Sequence, residues 1–238
     1  MYAVITGAST GIGKAIAMEL SKKATVIITY NKSEKEADAV CKLIASKGGK
    51  AFKIKADLRN ETERVKLKNE IVKITKQVDV LVNNAGIFLD DGPDVSDKDL
   101  QDYFALHAIA TARMCSLLKP FLTKNASIIN IASIHGMLAR PHALGYCASK
   151  AAVHAITQAL AQEYAPIRVN TLSPGPVDTP MWAEDDKKTI ADVAKRTLLK
   201  RFAKPEEIAK VVSFLAFDAM YITGSNIVAD GGALLYRE

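Results

Sequence analysis

The chain has 238 residues, of which 49% are hydrophobic and 24% charged, and it carries a formal net charge of +6. This composition is typical of a soluble globular protein and excludes disordered and fibrous classes. No apolar run approaches the roughly 18 residues that a membrane-spanning helix needs. The length is enough for one sizeable core, so we predict a single domain over residues 1–238.

The cysteines and histidines predict neither a disulfide framework nor a metal site. The three cysteines are odd in number and widely spaced, and the four histidines do not follow a metal-ligand pattern. The first predicted strand begins directly after Met1, which leaves no room for a signal peptide. Together these features favour a cytoplasmic protein in a reducing environment.

The positive charge does not predict a nucleic-acid interface. Lysines between Lys32 and Lys55 are interspersed with acidic residues along an amphipathic segment, and no aromatic residues are interleaved to stack on bases. A modest positive field would also attract a phosphorylated cofactor or an acidic carrier. We therefore expect a small-molecule substrate, either free or as an acyl group bound to a carrier. We expect neither nucleic acid nor membrane as a partner.

Apolar β-branched runs alternate with helix-periodic segments along most of the chain, which predicts an α/β fold. Strands are predicted near 2–6, 24–30, 50–55, 78–82, 126–132, 167–172 and 225–229, and helices near 12–22, 33–47, 60–76, 97–118, 144–164 and 205–217. Strands separated by helices imply right-handed crossovers and a parallel sheet covered on both faces. The predicted architecture is a three-layer doubly wound parallel sheet, or Rossmann fold, with about seven strands. The segment from Ser173 to about Lys200 is predicted to be a lid or binding loop.

A glycine-rich turn joins the first predicted strand to the first helix. It begins at Thr6 and has the spacing Gly-x-x-x-Gly-x-Gly. Glycines let the backbone turn tightly and approach a pyrophosphate, whose charge suits the N–H groups and dipole at a helix start. The candidate cofactor-binding residues of this turn are Gly7, Ser9, Thr10, Gly11, Ile12 and Gly13.

The end of the second predicted strand bears on the choice between NAD and NADP. An enzyme that prefers NAD usually has an acidic residue there, which bonds the ribose hydroxyls. Here the positions are Tyr30, Asn31, Lys32 and Ser33. An acid would repel a 2′-phosphate, whereas Lys32 and the Ser33 hydroxyl could bind one. The segment therefore favours NADP(H), with NAD(H) as the alternative. If Lys32 is only solvated and contacts no phosphate, it does not distinguish the two cofactors.

The chemistry of the chain is predicted to centre on Tyr146 and Lys150, with Ser133 thirteen residues before the tyrosine. Residues i and i+4 share a helix face, so the phenol and the ammonium point into one volume. A nearby cation favours the phenolate and lowers a tyrosine pKa, which is ordinarily about 10. Such a tyrosine can pass a proton to or from an alcohol oxygen. Ser133 follows a buried strand, where ligands of open α/β sheets bind.

Three further segments lie at predicted strand ends. They are Asp57-Leu58, Asn83-Asn84-Ala85-Gly86 and the run from Ser173 to Pro180. With the glycine turn and the Tyr-x-x-x-Lys pair, they occur in the order and spacing of the short-chain dehydrogenases/reductases, and the chain resembles this family from Val4 to Gly232. The resemblance implies hydride transfer between a nicotinamide and a carbonyl or alcohol carbon.

The resemblance also implies roles for single residues. Tyr146 would be the general acid/base, Lys150 would lower its pKa and bind the nicotinamide ribose, and Ser133 would polarise the substrate oxygen. Asp57 would bond the adenine and Leu58 would flank it. The remaining cofactor contacts implied are Asn83, Ala85 and Gly86 near the ribose, Pro174 and Gly175 along the nicotinamide face, and Val177 and Thr179 at the carboxamide.

One position departs from the family pattern. The family usually has an asparagine about twenty residues past Asn-Asn-Ala-Gly, where it holds a water that links the lysine to solvent, and here the matching residue is His107. An imidazole can also hold a water and titrates near neutrality. His107 is therefore either a retained proton relay with altered pH dependence or a packing substitute that weakens the relay.

Taken together, these features predict an NADP(H)-dependent carbonyl reductase or alcohol dehydrogenase. The general pattern is similar to 3-oxoacyl-carrier-protein reductases, although Ile87 to Asp94 is not typical of them. Tyr-x-x-x-Lys argues against enoyl reduction, since enoyl reductases space these residues further apart. The alternatives are an NAD(H)-dependent secondary-alcohol dehydrogenase and, in another class, a non-catalytic NADP-binding sensor or scaffold. The resemblance also implies a homotetramer or homodimer built on the helices near 97–118 and 144–164.

Overall fold

The computed structural model describes residues 1–89, 94–183 and 185–236. Its strands are β1 (Tyr2–Ile5), β2 (Thr25–Tyr30), β3 (Ala51–Lys55), β4 (Val78–Asn83), β5 (Leu122–Ile131), β6 (Arg168–Pro174) and β7 (Asn226–Ala229). Its α-helices are α1 (Gly11–Leu20), α2 (Glu34–Ser46), α3 (Glu61–Ile74), α4 (Asp97–Tyr103), α5 (Ala110–Leu118), α6 (Leu144–Glu163), α7 (Lys187–Lys195) and α8 (Pro205–Phe217). None of the helices within these described ranges is long and apolar enough to cross a membrane.

The seven strands form one parallel sheet in the order β3-β2-β1-β4-β5-β6-β7. Apolar clusters cover both faces: one joins the sheet to α1, α2 and α8, and the other joins it to α3, α5 and α6. Because central strands are buried on both faces, they read as continuous apolar runs, as Val80, Leu81 and Val82 do in β4. The doubly wound α/β fold and its seven strands are confirmed.

The segment expected to be one helix over 97–118 is interrupted. A π-helical turn, Phe104–Ile109, lies between α4 and α5. A π-turn takes up extra backbone within a helix and is frequent at functional sites. The segment contains neither proline nor glycine. The usual signals of a helix irregularity are therefore missing, and side-chain periodicity alone predicts one helix.

The predicted loop from Ser173 to about Lys200 also differs from the structure. It contains α7, whose first turn is capped by Asp186, with the carboxylate accepting from the Thr189 N–H at 2.7 Å. No residue of α7 is buried. Ile190, Val193 and Ala194 do lie at helical spacing and are half-buried. The pattern was missed because it covers only nine residues within a run rich in proline, aspartate and lysine, which is typical of a loop.

Candidate active site

The predicted site residues gather at the carboxyl ends of the parallel strands. Sheet order reverses between β1 and β4, which are neighbours although β2 and β3 lie between them in sequence. The loops that follow such strands diverge and leave a crevice between them, which is where doubly wound sheets bind ligands. The loops after β1, β4, β5 and β6 therefore form the walls of the candidate site.

The glycine turn after β1 adopts conformations that other residues would resist. Gly7 and Gly11 have φ values of 62° and 52°. A Cβ added to Gly13 would lie 2.3 Å from the Gly7 carbonyl oxygen. Glycine is therefore required on both conformational and steric grounds.

The start of α1 is suited to an anion. Thr10, its N-cap, makes no side-chain capping bond, and the first turn contains no acidic residue. The first N–H groups of a helix lack intrahelical partners and lie at the positive end of its dipole. The residues present thus fit a cofactor pyrophosphate.

Asn84 holds the glycine turn in place, a role that the sequence did not reveal. Its Nδ2 donates to the carbonyl oxygens of Thr6 and Gly7, each at 2.9 Å. The Thr6 hydroxyl oxygen in turn accepts from the Asn84 and Ala85 N–H groups at 2.9 and 3.0 Å. The signal was the pair of amides after β4, because β4 is the sheet neighbour of β1.

Asn83 is placed differently from its neighbour. Its Nδ2 donates to Asn130 Oδ1 on β5 at 2.8 Å and contacts the Cys115 sulfur at 3.3 Å. The residue is buried. Its side chain therefore joins two strands and a helix beneath the site, and only its backbone is left to face a ribose.

The segment expected at the adenosine end is partly committed to internal bonds. Tyr30 is buried, and its hydroxyl donates to Glu34 at 2.9 Å. Glu34 also pairs with Lys53, and these bonds hold the pKa of the exposed carboxyl below its usual range. An acid absent from the strand end itself thus approaches from α2, with its charge matched by a lysine. Lys32 is exposed, and Ser33 caps α2 without a side-chain capping bond.

Asp57 lies after β3 as predicted, and Arg59 binds its carboxylate. The Arg59 Nε and Nη2 donate to the two oxygens of Asp57 at 3.1 and 2.7 Å. This pairing is the largest cause of a lowered Asp57 pKa, and the Asn31 side chain contributes a further hydrogen bond. Leu58 is buried in the core. Arg59 was missed because an arginine beside a carboxylate has no distinctive spacing.

The loop after β6 approaches the glycine turn from the other side. The Thr179 Cγ2 lies 3.4 Å from the position of a Cβ on Gly11. Val177 is buried and forms a β-bridge with Ala203. A Cβ on Gly175 would lie 2.7 Å from the Asp230 Cα, so this stretch of backbone must pass close to β7. The structure thus brings the first and last predicted cofactor segments together.

Tyr146 and Ser133 meet as the sequence predicts. Tyr146 lies in the first turn of α6, and its hydroxyl hydrogen-bonds the Ser133 side chain. Ser133 follows β5 and is 6% exposed, and its Oγ also accepts from the His135 N–H at 3.1 Å. Burial raises the Tyr146 pKa above its usual value of 10, while the Ser133 hydrogen bond and the Arg140 charge oppose that rise.

Lys150 lies beneath the tyrosine ring. Its Nζ donates to the Ile131 carbonyl oxygen at 2.9 Å and lies 5.7 Å from the Tyr146 ring centroid. The side chain is 4% exposed, and burial lowers the pKa of the ammonium to about 8. Burial is the largest cause of the upward shift of the Tyr146 pKa, so the expectation that Lys150 lowers this pKa stays a prediction.

His107 lies in the π-helical turn and is bonded on both sides. Its Nε2 accepts from the Ile87 N–H at 3.0 Å, and its Nδ1 is 2.8 Å from the Ser149 Oγ. The ring packs against Tyr146, with the centroids 5.7 Å apart and the planes at 87°. Burial and the Lys150 charge hold its pKa well below its usual range. The direction of this shift favours a packing substitute over a relay that titrates near neutrality, and both roles stay predictions.

The mouth of the site is exposed and carries one cation. The Phe88 ring packs edge-on to Tyr146, with centroids 5.3 Å apart, and the Arg140 guanidinium lies 4.9 Å from the Phe88 centroid. Met137 and Leu144, on either side of Arg140 in sequence, are 53% and 57% exposed. Phe88 and Arg140 thus place an apolar ring and a positive charge close to Tyr146, and the two exposed side chains extend the apolar surface.

The comparisons agree with this geometry. The family model described as Enoyl-(Acyl carrier protein) reductase matches residues 7–233. The 3-oxoacyl-[acyl-carrier-protein] reductase FabG of Thermotoga maritima is 34% identical over 241 residues, covering 98% of this chain and 97% of that protein.

Two similar solved structures were obtained with a cofactor. The angucycline C-6 ketoreductase LanV with bound NADP has a TM-score of 0.93 and 31% identity, covering 98% of this chain and 95% of that one. A blue fluorescent protein from a metagenomic library in complex with NADPH has a TM-score of 0.92 and 31% identity, covering 98% and 97%. Sequence, fold and site geometry thus lead to one conclusion: the chain belongs to the short-chain dehydrogenase/reductase family and is an oxidoreductase that acts on carbonyl or alcohol groups.

Proposed function

We propose that the protein is an NADP(H)-dependent carbonyl reductase in which Tyr146 is the proton donor. The observation that carries the proposal is the Tyr146–Ser133 hydrogen bond above the buried Lys150, at the same sheet edge as the glycine turn. Each hydroxyl has one proton to donate, so both can donate to a third oxygen placed between them when that oxygen replaces their mutual hydrogen bond. A substrate carbonyl oxygen there would face one acid and one polarising donor.

The proposed reduction needs one hydride and one proton. A bound nicotinamide supplies the hydride to the carbonyl carbon. Tyr146 gives its hydroxyl proton to the carbonyl oxygen, and Ser133 donates a hydrogen bond to that oxygen as negative charge develops on it. The product is the alcohol, and the phenolate then regains a proton from solvent. In the reverse direction the same phenolate accepts the alcohol proton.

The preference for NADP(H) rests on charge at the end of β2. Lys32 is exposed there, and two acids close to this strand end already have basic partners: Glu34 pairs with Lys53, and Asp57 pairs with Arg59. The NADP-bound LanV and the NADPH-bound fluorescent protein add support. An NAD(H)-dependent secondary-alcohol dehydrogenase remains the second candidate, because Glu34 is 60% exposed in its side chain and could turn toward a ribose.

A titration with NADPH and NADH, followed by nicotinamide fluorescence, tests the cofactor. We expect NADPH to bind at least tenfold more tightly, and Lys32→Gln to remove most of that difference. Lys47→Gln is the matched control, since Lys47 is exposed at the far end of α2. Tighter binding of NADH by the wild type would contradict the proposal.

The substrate class needs a separate test. We propose ketones, among them 3-oxoacyl thioesters, because the FabG relative bears that name. Turnover should be followed with NADPH and either a 3-oxoacyl or an enoyl thioester, because the family model's description names enoyl reduction. Reduction of the enoyl thioester alone would exclude the proposed chemistry. Tight NADPH binding without turnover of any carbonyl would favour a sensor or scaffold.

The assembly is also proposed. Phe104 and Ile109, in the π-helical turn, are 36% and 48% exposed, which leaves apolar surface on the helices that the family pairs between subunits. Light scattering of the purified protein should therefore give the mass of a dimer or tetramer. The mass of one chain would contradict this part of the proposal.

A further inference from the structure

The two hydrogen bonds of His107 fix where its proton lies. The Ile87 backbone N–H can only donate, so the Nε2 that receives it carries no proton. The Ser149 hydroxyl donates its own hydrogen to the Tyr146 carbonyl oxygen at 2.8 Å. Its oxygen is therefore free to accept, and the Nδ1 that lies 2.8 Å away must be the donor. Both bonds require the neutral Nδ1–H tautomer.

The surroundings of the ring leave it little freedom. His107 is 1% exposed and Ser149 is 0% exposed. The titratable groups that face the ring are Lys150 of α6 and the phenols of Tyr146 and Tyr103, whose rings lie 5.7 and 5.6 Å from it. A second positive charge beside the buried ammonium of Lys150 would be costly, which favours the neutral ring.

His107 connects two parts of the site that must keep a fixed separation. Ile87 belongs to the loop after β4, directly behind Gly86, and Ser149 lies on α6 between Tyr146 and Lys150. A Cβ on Gly86 would lie 3.1 Å from the His107 Nε2 and 3.6 Å from the Lys150 Nζ. The ring therefore spans the gap between the loop and the two proposed catalytic side chains.

We propose that His107 is a positioning residue that braces the loop after β4 against α6 in one neutral tautomer, and that it neither gains nor gives up a proton during turnover. The inference rests on the proposed reductase function for its effect on rate. The tautomer and the brace themselves follow from the hydrogen bonds alone. Both ring nitrogens already have protein partners, so neither is left to hold a relay water, and the proton that returns to Tyr146 takes another route.

The first test reads the tautomer directly and needs no substrate. The protein is labelled with ¹⁵N-histidine, and the His107 signals are identified by their loss in His107→Gln. We expect the ¹⁵N shifts of a neutral ring protonated at Nδ1, unchanged from pH 5 to pH 9. A titration within this range, or shifts of the Nε2–H form, would overturn the proposal whether or not the protein reduces ketones.

The second test separates a brace from a proton carrier. Gln offers one donor and one acceptor but cannot titrate, whereas Phe keeps a ring and offers neither. We expect His107→Gln to lose less than about fivefold in kcat/KM and His107→Phe to lose at least about thirtyfold, since small misplacement of reacting groups is costly. The pH profile of His107→Gln should run parallel to that of the wild type. Equal losses in the two variants, or a limb of the profile that disappears in His107→Gln, would contradict the brace.

Ser149 supplies the matched partner variant. If the Nδ1–Oγ bond transmits the effect, Ser149→Ala should cost several-fold in kcat/KM, and adding it to His107→Phe should cost little more. Full additivity of the two losses would mean that the residues act separately. Thermal unfolding and NADPH binding are recorded for every variant. Failure of the wild type to bind NADPH would contradict the proposed function. The tautomer measurement would still show whether His107 has the proposed neutral form.

Discussion

The floor and the mouth of the site differ in burial and in hydrogen bonding. The floor consists of His107, Ser149 and Lys150, all buried, with every hydrogen-bonding distance near 3 Å. The mouth consists of Phe88, Met137, Arg140 and Leu144, which are half-buried or exposed. Phe88 contacts the Tyr146 and Arg140 side chains, and the Met137 sulfur accepts from the Asn226 amide at 3.0 Å. Tyr146 lies between the two and touches both.

The difference separates chemistry from selectivity. A buried, hydrogen-bonded group has one position and a shifted pKa, which is what a proton transfer at a fixed place needs. An exposed side chain at the mouth contacts water in the free protein and can contact different substrates in its place. We therefore expect substitutions in the floor to change rate, pH dependence or stability, and substitutions in the mouth to change which substrates bind.

The largest effect is expected at the residue shared by both regions. Tyr146→Phe removes the proton donor but keeps the ring contacts with Phe88 and His107. We expect kcat for ketone reduction to fall by about 10³, within the range for loss of general acid catalysis. Steady-state kinetics with NADPH measures this. Tyr221→Phe is the control, because Tyr221 is fully exposed, and a fall of less than tenfold in Tyr146→Phe would contradict the assigned role.

The second effect tests the buried charge of the floor through stability. The Lys150 pKa is about 8 in the folded protein and 10.5 in a model peptide. Between these values the unfolded chain binds the proton more tightly, so the free energy of unfolding should rise with pH. We expect about 2 kcal/mol more stabilisation from pH 7 to pH 10 in the wild type than in Lys150→Met, using about 1.4 kcal/mol per unit of pKa.

Urea unfolding of the two proteins at both pH values measures that difference. Subtracting the Lys150→Met result removes the titration of all other groups, which the two proteins share. Parallel stability curves for the wild type and the variant would mean that the ammonium is better solvated than its burial indicates.

A smaller effect is expected where the floor is most tightly packed. Gly86→Ala would place its Cβ 3.1 Å from the His107 Nε2. The neighbour must give by a few tenths of an ångström, which we expect to cost about 1 kcal/mol of stability and several-fold in kcat/KM. Thermal unfolding and kinetics of Gly86→Ala beside the wild type test this, and a variant as stable and as active as the wild type would contradict it.

The smallest effect is expected at the mouth. The Arg140 cation lies over Phe88 beside the tyrosine, and we expect it to favour ketones that carry a carboxylate. Arg140→Gln should raise KM for a keto acid only about fivefold, with little change in kcat, because exposed charges interact weakly. Arg140→Lys keeps the positive charge and should therefore retain most of the preference. The methyl ester of the same keto acid is the control substrate. Equal changes for acid and ester would exclude a charge effect.

The sequence predicts the group of Tyr146, Lys150 and Ser133 better than it predicts the rest of the site, for physical reasons. Tyr146, Lys150 and Ser133 share a helix spacing and a strand end, so local geometry brings them together, as the structure confirms. The seven strands are also confirmed, because central parallel strands are continuous apolar runs. These features depend on periodicities within one element or between neighbouring elements.

Other features depend on contacts that no local pattern encodes. The π-helical turn that positions His107 carries no proline or glycine. The pairing of Asp57 with Arg59 and of Tyr30 with Glu34 depends on side-chain conformations in the folded chain. The lowered pKa values of Lys150 and His107 are likewise caused mainly by burial. The sequence does not show how deeply each side chain is buried.

The hydrogen bonds from Asn84 to Thr6 and Gly7 have a consequence for the entropy of cofactor binding. The amide fixes the glycine turn through the neighbouring strand, so the turn has its shape before any ligand arrives. A ligand that meets a rigid turn does not have to order it, and the conformational entropy of glycine, the largest of any residue, has already been lost during folding. Calorimetry should therefore find that binding of the dinucleotide costs less conformational entropy than binding to a flexible loop would.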